Sequence, residues 1–218
     1  MKLQKLGGYA SIVLICALVV AIGIAALTLP RLGLSLSGTV TDPAKVMAAY
    51  EASPITFRVL QPFGILVAMV FVVVPLTLQE RMRAKAPNLT RLAVIAASVA
   101  SALLLANVIS GTSGMLSIAS TKDISAYRAF TLVQNGLGSA AGNAWGWALL
   151  LIGWAALRTN ALPRILSYII VACGVIAIIQ FVAQPLPNVV SLLVGLLNAI
   201  GAVWLGVALI RKPEPSLA

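Results

Sequence analysis

The side chains with chemical capacity inside the apolar stretches of this 218-residue chain are amides. Gln61, Asn107, Gln134, Asn135, Gln180 and Gln184 fall toward one end of four such stretches, with Asn143 and Asn198 nearer the middle of theirs. An amide donates and accepts, so it can pair with another amide, a hydroxyl or an uncharged ligand. Alone in hydrocarbon it is costly, so these groups must turn inward and pair, or meet water. Interhelical hydrogen bonding is one reading; a polar cavity formed among Gln61, Asn107, Gln134, Asn135, Gln180 and Gln184 is the other.

What is missing narrows the chemistry further. The chain has no histidine, which removes His-ligated haem, most zinc and copper sites, and every Ser-His or Cys-His nucleophile. No Asp, Glu, Lys or Arg interrupts the apolar cores, so an intramembrane carboxylate relay and a mid-span Schiff-base lysine are absent too. Cys16 and Cys173 are the only thiols. They sit at similar depth and read as small apolar packing residues. No catalytic, metal-binding or cofactor-binding residue emerges, and the chain reads as a non-enzyme.

Small residues form the second pattern. Gly138, Gly142 and Gly146 recur at steps of four, and Ala97 and Ser101 repeat that spacing in the preceding apolar stretch. Such stripes let helix backbones approach closely in lipid. They serve either packing within the chain or an interface with a partner, as a homo-oligomer or in a larger membrane complex.

The elements that must carry these residues are long apolar helices. With 61% hydrophobic and 9% charged residues and a mean hydropathy of +1.04, the chain lies far from a soluble domain, where about 25% of residues are charged. Crossing roughly 30 Å of hydrocarbon takes about 20 apolar residues. Six stretches qualify, near 8–29, 59–78, 92–114, 130–157, 165–184 and 189–210. The reading is an all-α polytopic membrane protein: one domain, with six transmembrane helices in one bundle. The first stretch is longer than a signal-peptide core and is read as an anchor.

The formal charge of +10 sorts by side. Ten of the 15 Lys and Arg residues, including Lys2, Lys5, Arg81, Arg83, Arg91, Arg158 and Arg164, fall on one face of such a bundle. Five, namely Arg31, Lys45, Arg58, Lys122 and Arg128, fall on the other beside Asp42, Glu51 and Asp123. The positive-inside rule then puts both termini in the cytoplasm of a cell whose inner (plasma) membrane holds the protein. Membrane lipids are the expected partners of the basic residues, and nucleic acid is not.

Two outer segments carry helix signals. Thr41-Asp42 offers an N-cap, Pro43 suits the first helical position, and Val46, Met47 and Tyr50 share a face until Ser53-Pro54. This predicts a short amphipathic helix between spans one and two, acting as a lid over helix ends or as a gate. Asp123 can cap a second helix carrying Tyr127, Phe130 and Thr131. Running on to Leu157 it exceeds one straight span, so it either lies partly in the interface or breaks near Gly136-Leu137-Gly138. Inside span two, Pro75 predicts a kink.

The run Asp42-Pro43-Ala44-Lys45-Val46-Met47-Ala48-Ala49-Tyr50, leading into Thr56-Phe57-Arg58, resembles the family known as domain of unknown function 4386. Gly153-Trp154-Ala155-Ala156-Leu157-Arg158, then Leu162-Pro163-Arg164-Ile165-Leu166, is similar to that family's connection between its fourth and fifth helices. Cys173-Gly174-Val175-Ile176 matches its fifth helix. Ser167 departs from the pattern, which has glycine after the Pro-Arg-Ile-Leu run. The resemblance spans nearly the whole chain and implies a bacterial or archaeal six-helix membrane protein without assigning an activity.

Two functions are then expected. In the first, the protein is a non-catalytic accessory or scaffold subunit packing through its small-residue stripes. In the second, it is a transporter or a binder of lipid or small molecules that uses the outward-facing polar cavity.

Overall fold

The computed structural model describes residues 3–34, 42–182 and 188–211, and among them it is all α, without a strand. The elements are α1 (Leu3–Thr28), a short 3-10 turn at Pro30–Leu32, α2 (Pro43–Ala52), α3 (Pro54–Met82), α4 (Pro87–Thr121), α5 (Ile124–Thr159), α6 (Arg164–Val182) and α7 (Asn188–Arg211). Apolar segments of this length satisfy their own backbone groups only as helices. Proline starts α2, α3 and α4, where its missing N–H costs nothing. Helix ends are set by single residues in the left-handed region: Gly33 after the 3-10 turn, Lys122 after α4 and Asn160 after α5. The α3 helix runs through both Pro62 and Pro75.

Among the described residues, four segments, Lys5–Leu32, Pro54–Met82, Pro87–Thr121 and Ile124–Thr159, are long and apolar enough to cross a membrane. The remaining long helices, α6 and α7, have 19 and 24 residues. Exposed side chains agree with a lipid solvent. On α1, Val19 is 65% and Leu27 68% exposed, and Ile165 and Tyr168 on α6 are open as well. Such a surface would be an aggregation liability in water.

Helix α3 packs on α1 and α4, α5 on α4 and α6, and α7 on α1 and α6. The dry core lies toward the basic end of the bundle. There Leu78, Met82, Ala93, Ile152, Leu166 and Leu209 are buried together, with Trp204 packed against them. Two buried hydroxyls of this end bond within their own helices, Thr77 Oγ1 to the Val74 carbonyl (2.7 Å) and Thr159 Oγ1 to that of Ala155 (2.8 Å).

The other end of the bundle is different. At 35 and 36 residues, α4 and α5 are each over 50 Å long at about 1.5 Å per residue, against roughly 30 Å of hydrocarbon. The α5 helix does not break at Gly136-Leu137-Gly138. The α4–α5 hairpin therefore overshoots one slab, and α2 lies against α3, α4 and α5.

Candidate functional site: a cavity beneath the short helix

Helix α2 starts at a cap readable in the sequence, and tertiary contacts hold it over the bundle end. Asp42 Oδ1 accepts from the Ala44 N–H (3.0 Å) and caps α2 ahead of Pro43. Thr41, the other half of the expected cap, lies outside the described residues. Met47 and Ala49 are buried, and the Tyr50 ring stacks on Phe57 of α3 with centroids 3.6 Å apart. Glu51 Oε2 meets Lys122 Nζ at the α4–α5 turn (3.3 Å). Asp123 Oδ1 then caps α5, accepting from the Ser125 and Ala126 N–H groups (2.8 and 3.1 Å) and from Ser125 Oγ (2.6 Å).

Between α2, α3, α4 and α5 lies an open cavity of about 850 Å³. Gln61, Asn107, Gln134 and Asn135 all line it. Asn107 Nδ2 donates to the Gln134 main-chain carbonyl (2.7 Å) and to Gln134 Oε1 (2.8 Å), while Gln134 Nε2 donates to Ser110 Oγ (2.8 Å). Turned over, the Gln134 amide donates to the Asn107 main-chain carbonyl (3.0 Å) and accepts from Ser110 Oγ (2.8 Å). In either orientation Gln134 joins α5 to α4. The side chain of Gln180 and the whole of Gln184 lie outside the described residues, as does the side chain of Asn198.

Glycine opens the cavity wall. Gly64, Gly111 and Gly138 all line it, and a methyl at Gly138 would sit 3.7 Å from Asn107 Nδ2. Nearer α2 the wall turns aromatic and apolar, with Tyr50, Phe57, Met115, Tyr127 and Phe130. The faces of α2 and of the start of α5 were visible as apolar patterns in the sequence. That they meet over the amides was not, because no sequence spacing relates residue 50 to residue 127.

The small-residue positions divide. Ala97 is fully buried, and Ser101 Oγ donates across to the Ala68 carbonyl of α3 (2.8 Å). A Cβ added at Gly146 would lie 3.0 Å from the Gly174 carbonyl of α6. One at Gly142 would meet nothing within 4 Å, and Gly138 borders the cavity. Tight α5–α6 contact rests instead on Gly146 with Gly153 and, opposite them, Gly174 with Ser167. A Cβ on Gly174 would lie 2.6 Å from the Leu150 nitrogen, and one on Gly153 would lie 3.1 Å from the Ser167 carbonyl. Each pair is spaced by seven, the repeat of a left-handed helix pair, a spacing that steps of four do not reveal. Ser167 is fully buried, so a small residue is required there.

Electrostatics keep charge out of the cavity. Among the described residues, no lining residue is ionisable other than Tyr50 and Tyr127. Burial, and then the neighbouring Tyr127, push the Tyr50 phenol above the ordinary tyrosine range. Asp123, outside, is held below the usual carboxylate range by the Ser125 hydroxyl and the two N–H groups it caps. Among the described residues no three Cys, Asp or Glu side chains converge to hold a metal. A second, smaller groove of about 390 Å³ runs between α4 and α5, with Asn143 and Trp147 among its lining residues. The arrangement can hold and orient an uncharged molecule; it contains no nucleophile–base pair.

A family model described as a domain of unknown function (DUF4386) matches residues 8–212. No curated protein matches the chain, and no solved structure does.

Proposed function

The chain belongs to the DUF4386 family, and from that premise we propose that it is a non-catalytic plasma-membrane protein that binds a small molecule or lipid in the cavity beneath α2. In this reading α1 and α3 to α7 are six spans. The basic residues Arg81, Arg91 and Arg158 and both termini face the cytoplasm by the positive-inside rule. The cavity then opens on the outer side, with α2 as its cover.

One observation carries the proposal. Four amides from three separate helices, α3, α4 and α5, line a single cavity of a size typical of ligand sites. Interhelical hydrogen bonding alone would account for Asn107 with Gln134, but not for Gln61 and Asn135 on the same open volume. A scaffold role is the second reading. It draws on the open Gly142 and the Asn143–Trp147 groove, whereas Ala97, Ser101 and Gly146 are already engaged within the chain.

Native mass spectrometry of protein extracted in mild detergent tests the proposal. The expected result is a small-molecule adduct that Gly138→Leu, which fills the cavity floor, removes without unfolding the protein. An adduct unchanged by Gly138→Leu, or a stoichiometric protein partner in place of any adduct, would favour the scaffold reading instead.

A further inference from the structure

Resting on that binding site, we infer that the occupant is a compact uncharged amphiphile, held with its polar group against Asn107 and Gln134 and its apolar end under α2. The charge follows from the walls. Every charged side chain near the cavity, namely Lys45, Glu51, Arg58, Lys122, Asp123 and Arg128, is exposed, and none lines the cavity. Against the deep wall an ionised head would give up part of its hydration and meet amides and hydroxyls without an opposite charge to pair with. A neutral amide, carbonyl or hydroxyl loses little, because Gln61, Asn107, Gln134 and Asn135 offer both donors and acceptors. The upward shift of the Tyr50 phenol has the same cause: this end of the cavity disfavours charge.

The orientation follows from the order of residues along the helices. Counting from Ser101 and its α3 partner Ala68 toward α2, Gly64, Asn107 and Gly138 come first, then Gln61, Gly111 and Gln134. Phe57, Met115 and Tyr127 are reached last, beside Tyr50 of α2. The polar wall is thus deep in the bundle and the apolar wall is at its end. That gradient is the inverse of a bilayer leaflet, whose polar heads lie outermost. A bilayer lipid would have to turn over to match it, whereas a compact molecule arriving from the aqueous side would not. Its apolar end would meet the stacked Tyr50–Phe57 pair and the α2 cover.

A matched trio of probes separates the possibilities: decanamide, decanoate and decylammonium, titrated at pH 7 onto the full chain in nanodiscs, for wild type, Gly138→Leu and Gln134→Met. Decanamide is expected to bind wild type at least tenfold more tightly than either ion. Gly138→Leu should abolish that binding, and Gln134→Met should weaken it at least tenfold, with only the small fall in the ligand-free thermal midpoint that loss of its bonds to Asn107 and Ser110 brings. If decanoate or decylammonium binds as tightly as decanamide and Gly138→Leu abolishes it, the cavity is a site but the uncharged class is wrong. If decanamide binding is unchanged in Gln134→Met, the assigned orientation is wrong. If none of the three shows binding sensitive to Gly138→Leu, the binding-site reading itself falls with the class.

Discussion

Replacing Gly174 by alanine tests the α5–α6 contact, and its cost can be worked from distances. The added carbon would lie 2.6 Å from the Leu150 nitrogen and 2.8 Å from the Gly146 carbonyl oxygen, both main-chain atoms that no rotamer change can move. Ordinary contact between such atoms needs about 3.5 Å, so the helices must part by several tenths of an ångström. A gap of about 0.5–1 Å forfeits a quarter to a half of each dispersion contact around it. Overpacking of this kind typically costs about 1–3 kcal/mol, and the rigid partner places Gly174→Ala at the top of that range. The better helix propensity of alanine returns at most about 1 kcal/mol, leaving a net loss of about 2 kcal/mol. Gly142→Ala is the control: nothing lies within 4 Å of its new carbon, so it should be neutral or gain up to about 1 kcal/mol. Reversible unfolding in mixed micelles, followed by tryptophan fluorescence, would read a gap of about 2–3 kcal/mol between the two variants. Equal stabilities would refute the seven-residue packing of α5 on α6.

Three further outcomes follow from individual contacts. Ser101→Ala removes one interhelical hydrogen bond and should cost about 0.6 kcal/mol in the same unfolding assay, with a loss above about 2 kcal/mol contradicting that account. Tyr50 keeps its proton longer when folded than unfolded, so its contribution to stability is complete below the ordinary tyrosine value near ~10 and is lost as pH rises through the folded value. Tyr50→Phe should flatten that alkaline decline, and an unaltered slope would assign it to another group. In intact cells, a cysteine introduced at Lys122 should react with a membrane-impermeant maleimide and one at Arg158 should not, in a Cys16→Ala, Cys173→Ala background; the reverse pattern would invert the topology.

Much of this architecture is legible in residue order because lipid leaves so few options. Apolar runs give helices, Asp42-Pro43 gives the start of α2, and Asp123 gives the start of α5. Four of the six amides proposed for a cavity border one; Gln184 and the Gln180 side chain are outside the described residues. The sequence was less informative wherever two helices set the answer together. Gly138, Gly142 and Gly146 look alike in one helix, yet they face a cavity, open space and α6 respectively. Their drift around the helix comes from the mismatch between a step of four and 3.6 residues per turn. Likewise, the aromatic end of the cavity depends on Tyr50 reaching Phe57 and on Tyr127 lining the same space, a tertiary fact with no local signature.

The most direct test of the central claim is photo-crosslinking of the nanodisc-embedded protein with decanamide bearing a diazirine at its far end. The account predicts label on peptides carrying Tyr50, Met115 and Tyr127, competed away by unmodified decanamide and lost in Gly138→Leu. Label confined to lipid-facing positions of α1 or α6, or unaffected by Gly138→Leu, would contradict it.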